Sequence, residues 1–340
     1  MLQKKGNFIM GTKSVKNVRL CDIAEEVGVT ANTVSKVIRG KGGVSDEKRK
    51  QILELVKERG YVPNRAAMSL RYGRSKMITV VFDNLINPYY MIMTRMLVYK
   101  FNSLDYDVMI VSGIYDCIEL KDLGNILGNK VSGIITFVEP NEEAAEALKS
   151  EGIHVVLLGR KVFDIDIDTV STDDFLGGYK VGKYLIEKGC KKIGYLGAPF
   201  MVECAQRRLA GLRKSLDENG IAYDDTCFQF MDREDMTEKA EALFQSGVDG
   251  VFCFNDIMAA NFYKFVQKKN LRVPEDIKIV GYDDVYDEFP MSIKFTSVGS
   301  DKKGVVDCAT ELLVSRIEGT VNGPKEHSEF SVYISEGVTA

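Results

Sequence analysis

The chain has 340 residues, with 45 Lys and Arg against 49 Asp and Glu for a formal net charge of −4, and it contains seven cysteines, two histidines and no tryptophan. That length supports two or three well-filled cores, and the sequence holds no low-complexity tract, no apolar run long enough to span a bilayer and no signal-peptide pattern in its first seventeen residues. Cysteines scattered without a C-x-x-C pair argue for a reducing, cytoplasmic setting and against a disulfide framework or zinc site; with only His154 and His327, and no phosphate-binding loop or nucleophile elbow, the chain reads as a non-enzyme without metal or cofactor.

Residues 1–17 read as a flexible basic arm, and Met10 is a second candidate start. Residues 18–62 read as an all-α helix-turn-helix domain. Apolar residues fall at Ile23, Ala24 and Val27, Gly28 interrupts, and Val34, Val37 and Ile38 repeat the helical spacing. Gly28 marks a steep turn that favours a positive φ, and Thr30 is the expected N-cap of the second helix. With its apolar residues turned inward, that helix presents Ala31, Asn32, Ser35, Lys36 and Arg39, side chains able to read base edges. A third helix from Asp46 to about Arg59, behind a Ser45 cap, is expected to add Ile52, Leu53 and Val56 to the core.

Such helix pairs also occur as plain αα-hairpins, and charge separates the two readings. Residues 1–75 carry 16 Lys and Arg against 7 Asp and Glu, a net of +9; the remainder carries 29 against 42, a net of −13. A basic head on an acidic body suits a polyanion-binding module fused to a domain that does not bind polyanions.

Residues 63–76 read as a hinge and linker. Asn64 can cap a short helix through Ala66, Ala67, Met68 and Leu70, but two turns are marginal alone, so a binding partner is needed to form it. The elements Asp22-Ile23-Ala24, Gly28-Val29-Thr30, Thr33-Val34-Ser35-Lys36-Val37 and Gly60-Tyr61-Val62-Pro63-Asn64 together resemble the N-terminal domain of the LacI/GalR family of bacterial transcription regulators. The resemblance implies DNA contact by Thr30, Ala31, Asn32, Thr33 and Lys36 in the major groove. It also implies a hinge helix in the minor groove, with Leu70 as the wedge that opens a base step, and with Asn64, Arg65 and Arg71 beside it.

From Met77 the pattern alternates apolar runs (77–83, 107–112, 132–138, 153–158, 192–197, 249–254, 277–282) with amphipathic stretches (90–103, 116–127, 141–150, 176–189, 204–219, 237–246, 257–270, 302–318). Alternation of this kind means parallel sheets covered on both faces, and some 260 residues of it favour two α/β lobes with a cleft between them. Residues 77–340 resemble the periplasmic-binding-protein-like effector and dimerisation domain of the same family. The matching landmarks are Asn87-Pro88-Tyr89-Tyr90, Val155 to Arg160, Arg208-Leu209-Ala210-Gly211, Asn255-Asp256 and Val280-Gly281-Tyr282-Asp283-Asp284. The resemblance implies effector contacts at Tyr89, Tyr90, Arg160, Asp174, Arg208, Asn255 and Asp283. Each has a plainer reading: a salt bridge for Arg208, helix caps for Asn255 and Asp283, core packing for the tyrosines. Met236 falls where many members place a pocket aromatic, and Ile334-Ser335-Glu336-Gly337 lacks the Arg common before the Glu.

The expectation is a homodimeric transcription regulator, read as a repressor, that binds double-stranded operator DNA and a small carbohydrate effector, with no membrane partner. A catabolite-type regulator controlled by a phosphocarrier protein stays open as an alternative. A solute-binding transport receptor would lack the basic head and need a signal peptide.

Overall fold

The computed structural model describes residues 18–38, 40, 43–61, 75–84, 86–114, 117–159, 166–199, 202–231, 236–289 and 291–340. The chain divides into two compact units, Met1–Arg71 and Tyr72–Ala340.

In the first unit three helices, α1 (Leu20–Val27), α2 (Ala31–Ile38) and α3 (Asp46–Glu58), enclose Ile23, Ala24, Val27, Val34, Val37 and Ile52. Gly28 stands at φ +71°, and the Val29 N–H donates back to the Ala24 carbonyl at 2.9 Å, which ends α1 in a left-handed cap. Thr30 Oγ1 accepts from the Thr33 N–H at 3.2 Å, and Ser45 Oγ accepts from that of Lys48 at 3.4 Å, so both expected caps form. Arg59 ties α3 to α1 through a fork on both Glu26 carboxylate oxygens, at 2.7 and 2.8 Å. Two expectations need correction. Leu53 is 45% exposed rather than core, because Ile52 and the half-buried Val56 already fill the contact, and Ser35 is buried rather than presented.

The second unit has two lobes. Lobe 1 is a six-stranded parallel sheet built from β1 (Met77–Phe82), β2 (Asp107–Ser112), β3 (Gly133–Thr136), β4 (His154–Leu158), β5 (Asp168–Thr172) and β11 (His327–Phe330), in the order β11-β5-β4-β3-β1-β2. Strand alternation sends Ile78, Val80 and Phe82 to one face, under α4 (Pro88–Ser103) and α11 (Lys302–Glu318). Val81 points to the other face, under α5 (Gly124–Gly128) and α6 (Glu142–Ser150). Lobe 2 is a four-stranded parallel sheet of β6 (Ile193–Gly197), β7 (Phe228–Phe230), β8 (Gly250–Cys253) and β9 (Lys278–Val280), in the order β7-β6-β8-β9. Helices α7 (Asp174–Glu187), α8 (Glu203–Glu218), α9 (Met236–Gln245) and α10 (Asp256–Lys268) pack into its single core.

The chain passes between the lobes three times: from β5 into α7, from β10 (Ser297–Ser300) into α11, and from β11 into β12 (Val332–Ser335). β10 and β12 pair antiparallel beside lobe 2, an arrangement the sequence pattern does not announce. In place of one helix over 116–127 there is a 3-10 turn, Leu120–Leu123, that runs into the five-residue α5, which Gly124 and Gly128 bracket. β5, β7, β10, β11 and β12 fall outside the apolar runs, because they are short and carry polar residues such as Asp168, Thr169 and Ser171. Asp168 is fully buried and takes a fork from Arg316 of α11 at 2.8 and 3.1 Å, which locks α11 onto lobe 1.

The closest helix approach lies between α7 and α8. A β-carbon on Gly178 would stand 1.8 Å from the Arg208 carbonyl oxygen, and one on Gly211 would stand 1.9 Å from that of Phe175. Both obstacles are backbone, so relief requires the helices to part. Gly211→Ala is therefore expected to lower the stability of this unit by about 1–3 kcal/mol, the range for overpacked cores, read as a lower urea midpoint; an unchanged midpoint would show that α7 and α8 separate freely.

Candidate functional site

The exposed side of α2 carries Ala31, Asn32 and Lys36, with Thr30 exposed at its cap and Thr33 half-buried behind them. These five sequence-predicted groups thus lie on one short helix and its cap, anchored by Val34 and Val37, which are 0% and 2% exposed. A methyl, an amide and an ammonium on a rigid helix form a surface that can hydrogen-bond base edges. Asn64, Arg65, Leu70 and Arg71, and with them Arg39, lie outside the described residues.

In the second unit, side chains from both lobes converge at the C-terminal ends of the strands, where open α/β sheets hold ligands. Arg208, on α8 beside the glycine contact, is 7% exposed. Its Nε donates to Asp174 Oδ1 at 2.7 Å and its Nη1 to the Phe254 carbonyl at 2.5 Å. Its guanidinium carbon lies 3.4 Å from the Tyr282 ring centre and 4.5 Å from that of Phe254. Two aromatic faces and a carboxylate hold the fork in one orientation, the arrangement a recognition arginine needs. The salt-bridge reading of Arg208 is thus correct at the level of contact. The bridge stays within lobe 2 rather than crossing the cleft.

Asn255 caps α10, with Oδ1 accepting from the Met258 N–H at 2.8 Å, so its cap reading also holds. Asp283 is no cap. It sits at φ +100°, followed by Asp284 at +47°, in backbone that side chains other than glycine rarely adopt. No side-chain hydrogen bond to its carboxylate occurs among the described residues. Burial, with the charges of Asp256 and Asp174 adding to it and those of Arg208 and Lys302 opposing, pushes Asp283 up to about 8.

From lobe 1, Tyr89 and Tyr90 open α4 behind the Asn87 cap. Tyr90 stacks on Phe82 with ring centres 5.9 Å apart and lies 5.1 Å from Phe137, while Tyr89 meets Phe137 edge-on at 6.3 Å. Burial raises the Tyr89 hydroxyl far above its ordinary range, and the charge that acts on it most is that of Asp283, across the cleft. Tyr89 remains a proton donor at any physiological pH. Arg160 lies outside the described residues.

Sequence reasoning missed Phe254, Asp256 and Tyr282. The first two flank Asn255 and the third precedes Asp283, so chain adjacency was the available signal. Asp256 is buried, with Oδ1 accepting from Ser297 Oγ at 2.6 Å and Oδ2 from the Val285 N–H at 3.0 Å, which couples α10 to the second crossover. Burial pushes it up to about 7. Met236, where a pocket aromatic was expected, is half-buried against the lobe 2 core. A cavity of about 410 Å³ lies beside the second crossover and includes Met96, Asp287, Glu288 and Tyr333 in its lining, but none of the sequence-predicted contacts. Among the described residues no helix is long and apolar enough to cross a membrane.

Comparison with known proteins places these features in context. Residues 19–64 match the family model described as bacterial regulatory proteins, lacI family, and residues 183–337 match a periplasmic binding protein-like domain. The chain is 29% identical over 304 residues to the HTH-type transcriptional repressor PurR of Mannheimia succiniciproducens, covering 87% of this chain and 91% of that protein. It is 28% identical over 302 residues to the ribose operon repressor of Haemophilus influenzae, with the same coverage of each. The crystal structure of the Lac repressor dimer bound to operator and the anti-inducer ONPF has the same fold, with a TM-score of 0.80 and 23% identity, over 95% of this chain and 99% of that one.

The two raised carboxylates, Asp256 buried and Asp283 half-buried, make stability depend on pH. An ordinary carboxylate titrates near 4, so the burden of ionising Asp283 and Asp256 inside the fold is absent below about pH 4 and grows until the pH passes their raised values. Asp283→Asn is expected to melt higher than the parent at pH 8, by more than ~1 kcal/mol, with the gap shrinking toward pH 5. Asparagine also suits left-handed backbone, but that offset does not vary with pH. A gap constant across the range would contradict the assignment.

Proposed function

We propose that this chain, whose residues 19–64 match the lacI family of bacterial regulatory proteins, is a sequence-specific transcriptional repressor of that family whose operator affinity is set by a small carbohydrate bound between its two lobes. The observation that carries the reading is the pairing, in one chain, of a basic three-helix unit with an exposed reading helix and an acidic two-lobed unit. In the second unit aromatic rings, a clamped arginine and an aspartate with no side-chain hydrogen bond among the described residues meet at the strand ends.

Two chains act together. A two-fold protein on near-palindromic DNA places one α2 in each of two major-groove half-sites, with Lys36 and Asn32 on base edges and Thr30, Ala31 and Thr33 fitting the helix to the groove. The Lac repressor of the matching crystal structure is a dimer bound to operator. In this chain α4 and the edge strand β2 leave Met91, Tyr99 and Ile110 exposed, apolar surface suited to a second copy. Asn64, Arg65, Leu70 and Arg71 follow the reading domain, and Leu70 is the wedge that kinks the centre of the site.

Ligand control follows from the three crossovers. Tyr89 and Tyr90 move with lobe 1, while Asp174, Arg208, Asn255 and Asp283 move with lobe 2, and Arg160 is assigned to the same site. A ligand that touches both sets binds most tightly at one lobe separation, and it shifts operator affinity only by its preference for that state. The carbohydrate class is supported by the ring faces, by the hydrogen-bonding carboxylate and amide, and by the name of the ribose operon repressor relative.

Two substitutions test the two halves. Leu70→Ala should weaken operator binding about tenfold or more, because the kink then costs energy without the wedge, while random-DNA affinity holds; equal loss on both DNAs would remove the wedge role. Arg208→Ala should abolish the ligand response and leave operator affinity in the free protein unchanged, which also checks folding. A ligand titration identical to the parent's would overturn the cleft assignment.

A further inference from the structure

Two ion pairs reach from one lobe to the other, and they differ in how readily they break. Beside the third crossing, Arg207 of α8 in lobe 2 donates to Glu329 of β11 in lobe 1, Nη2 to Oε1 at 3.2 Å. The same Nη2 lies 3.5 Å from Asp173 Oδ1 at the cap of α7, and Arg207 Nε lies 3.6 Å from Glu203 on its own helix. The Arg207 and Glu329 side chains are 28% and 31% exposed. Beside the second crossing, Lys302 opens α11 and reaches lobe 2, donating to the Asp284 carbonyl at 2.7 Å and lying 3.6 Å from Glu288. Its side chain is only 7% exposed. Around it, Ser297 Oγ donates to buried Asp256 at 2.6 Å and accepts from the Asp284 N–H at 3.1 Å.

We propose that the second crossing is a pivot and the Arg207–Glu329 pair a latch: the lobes turn about Lys302, and the latch holds them at the separation of this structure. The two ties part at very different cost. When lobe 1 draws away, Arg207 keeps Asp173 and Glu203, both on lobe 2, and Glu329 is exposed enough to be hydrated, so little is lost. Pulling Lys302 off its carbonyl would strand a buried ammonium, which is far more costly. Arg207 is therefore a positioning residue. Its chain neighbour Arg208 is tied to Asp174 at 2.7 Å, so the latch and the clamped arginine ride on the same pair of helices. The latch belongs to the chain without ligand and holds whatever ligand the cleft takes.

The test is double electron–electron resonance on the full-length protein without ligand. Nitroxides go on genetically encoded keto side chains in place of exposed Glu146 of α6 and exposed Lys264 of α10, because seven native cysteines complicate thiol labels. Labelled protein is diluted into unlabelled protein, so that each measured pair lies within one chain. Glu329→Gln should lower the population at the parent's main distance, relative to all others, by about two- to fivefold, the range for ion pairs of this exposure. Glu288→Gln leaves Lys302 its carbonyl and should leave the distribution as in the parent. Raising the salt on the parent needs no variant and should act as Glu329→Gln does, since a part-exposed pair is screened. A distribution that Glu329→Gln leaves unmoved, or that salt leaves unmoved, overturns the latch. A shift from Glu288→Gln as large as that from Glu329→Gln overturns the pivot.

Discussion

Two backbone carbonyls, those of Phe175 and Arg208, stand where β-carbons would have to go on Gly211 and Gly178, and the geometry of the proposed ligand cleft follows from that contact. With α7 and α8 that close, Asp174 at the start of one helix and Arg208 in the first turns of the other come within a direct hydrogen bond. Removing either partner would leave a buried charge uncompensated, which is costly in any protein interior. The pair is thus held by packing, and it in turn holds the guanidinium carbon 3.4 Å from the Tyr282 ring centre and 4.5 Å from that of Phe254. A flexible arginine would have to be ordered by the proposed ligand; this one is already held by the fold.

The second structural theme is how the lobes are joined. Two of the three chain crossings carry the polar ties: beside the second, Lys302 reaches the Asp284 carbonyl and Asp256 reaches Ser297 and Val285, and at the third, Lys180 donates to the Val332 carbonyl. These ties lie beside the groups proposed to touch the ligand, so occupancy of the cleft and the geometry of the crossings are linked through a few residues. The same region concentrates the strained backbone of Asp283 and Asp284. Strain is kept at functional sites because the surrounding fold over-determines it.

How much of this could be read from the chain alone depended on the physics of each element. The helix-turn-helix was legible because Gly28, Thr30 and Ser45 each have one structural use at their positions, and the apolar spacing around them leaves a single inward face. Central strands such as β1 and β8 were legible as largely apolar runs, interrupted in β1 by Thr79. β5 was not: its core position is occupied by Asp168, tolerated because Arg316, some 150 residues later, supplies a buried fork and the Glu326 N–H a further bond, and no local pattern reveals such partners. Asn255 and Asp283 could be placed at strand ends, and the Asn255 cap could be read locally, but the Arg208–Asp174 pair comes from two helices packed together and the positive φ of Asp283 has no signal in the sequence pattern. Ser35 and Leu53 exchanged their expected exposures because helical spacing gives a face only to within a residue's breadth.

The central claim is that DNA reading by the first unit answers to a ligand in the second. Fluorescence-anisotropy titration of the purified protein onto DNA flanking its own gene, at one fixed salt concentration, with and without a pool of neutral sugars, tests that most directly. The account predicts tight binding to that DNA, weak binding to random duplex, and a shift in the specific curve alone when the pool is added. Specific binding that ignores the sugars would contradict ligand control by a carbohydrate, and equal affinity for both DNAs would contradict sequence-specific repression itself.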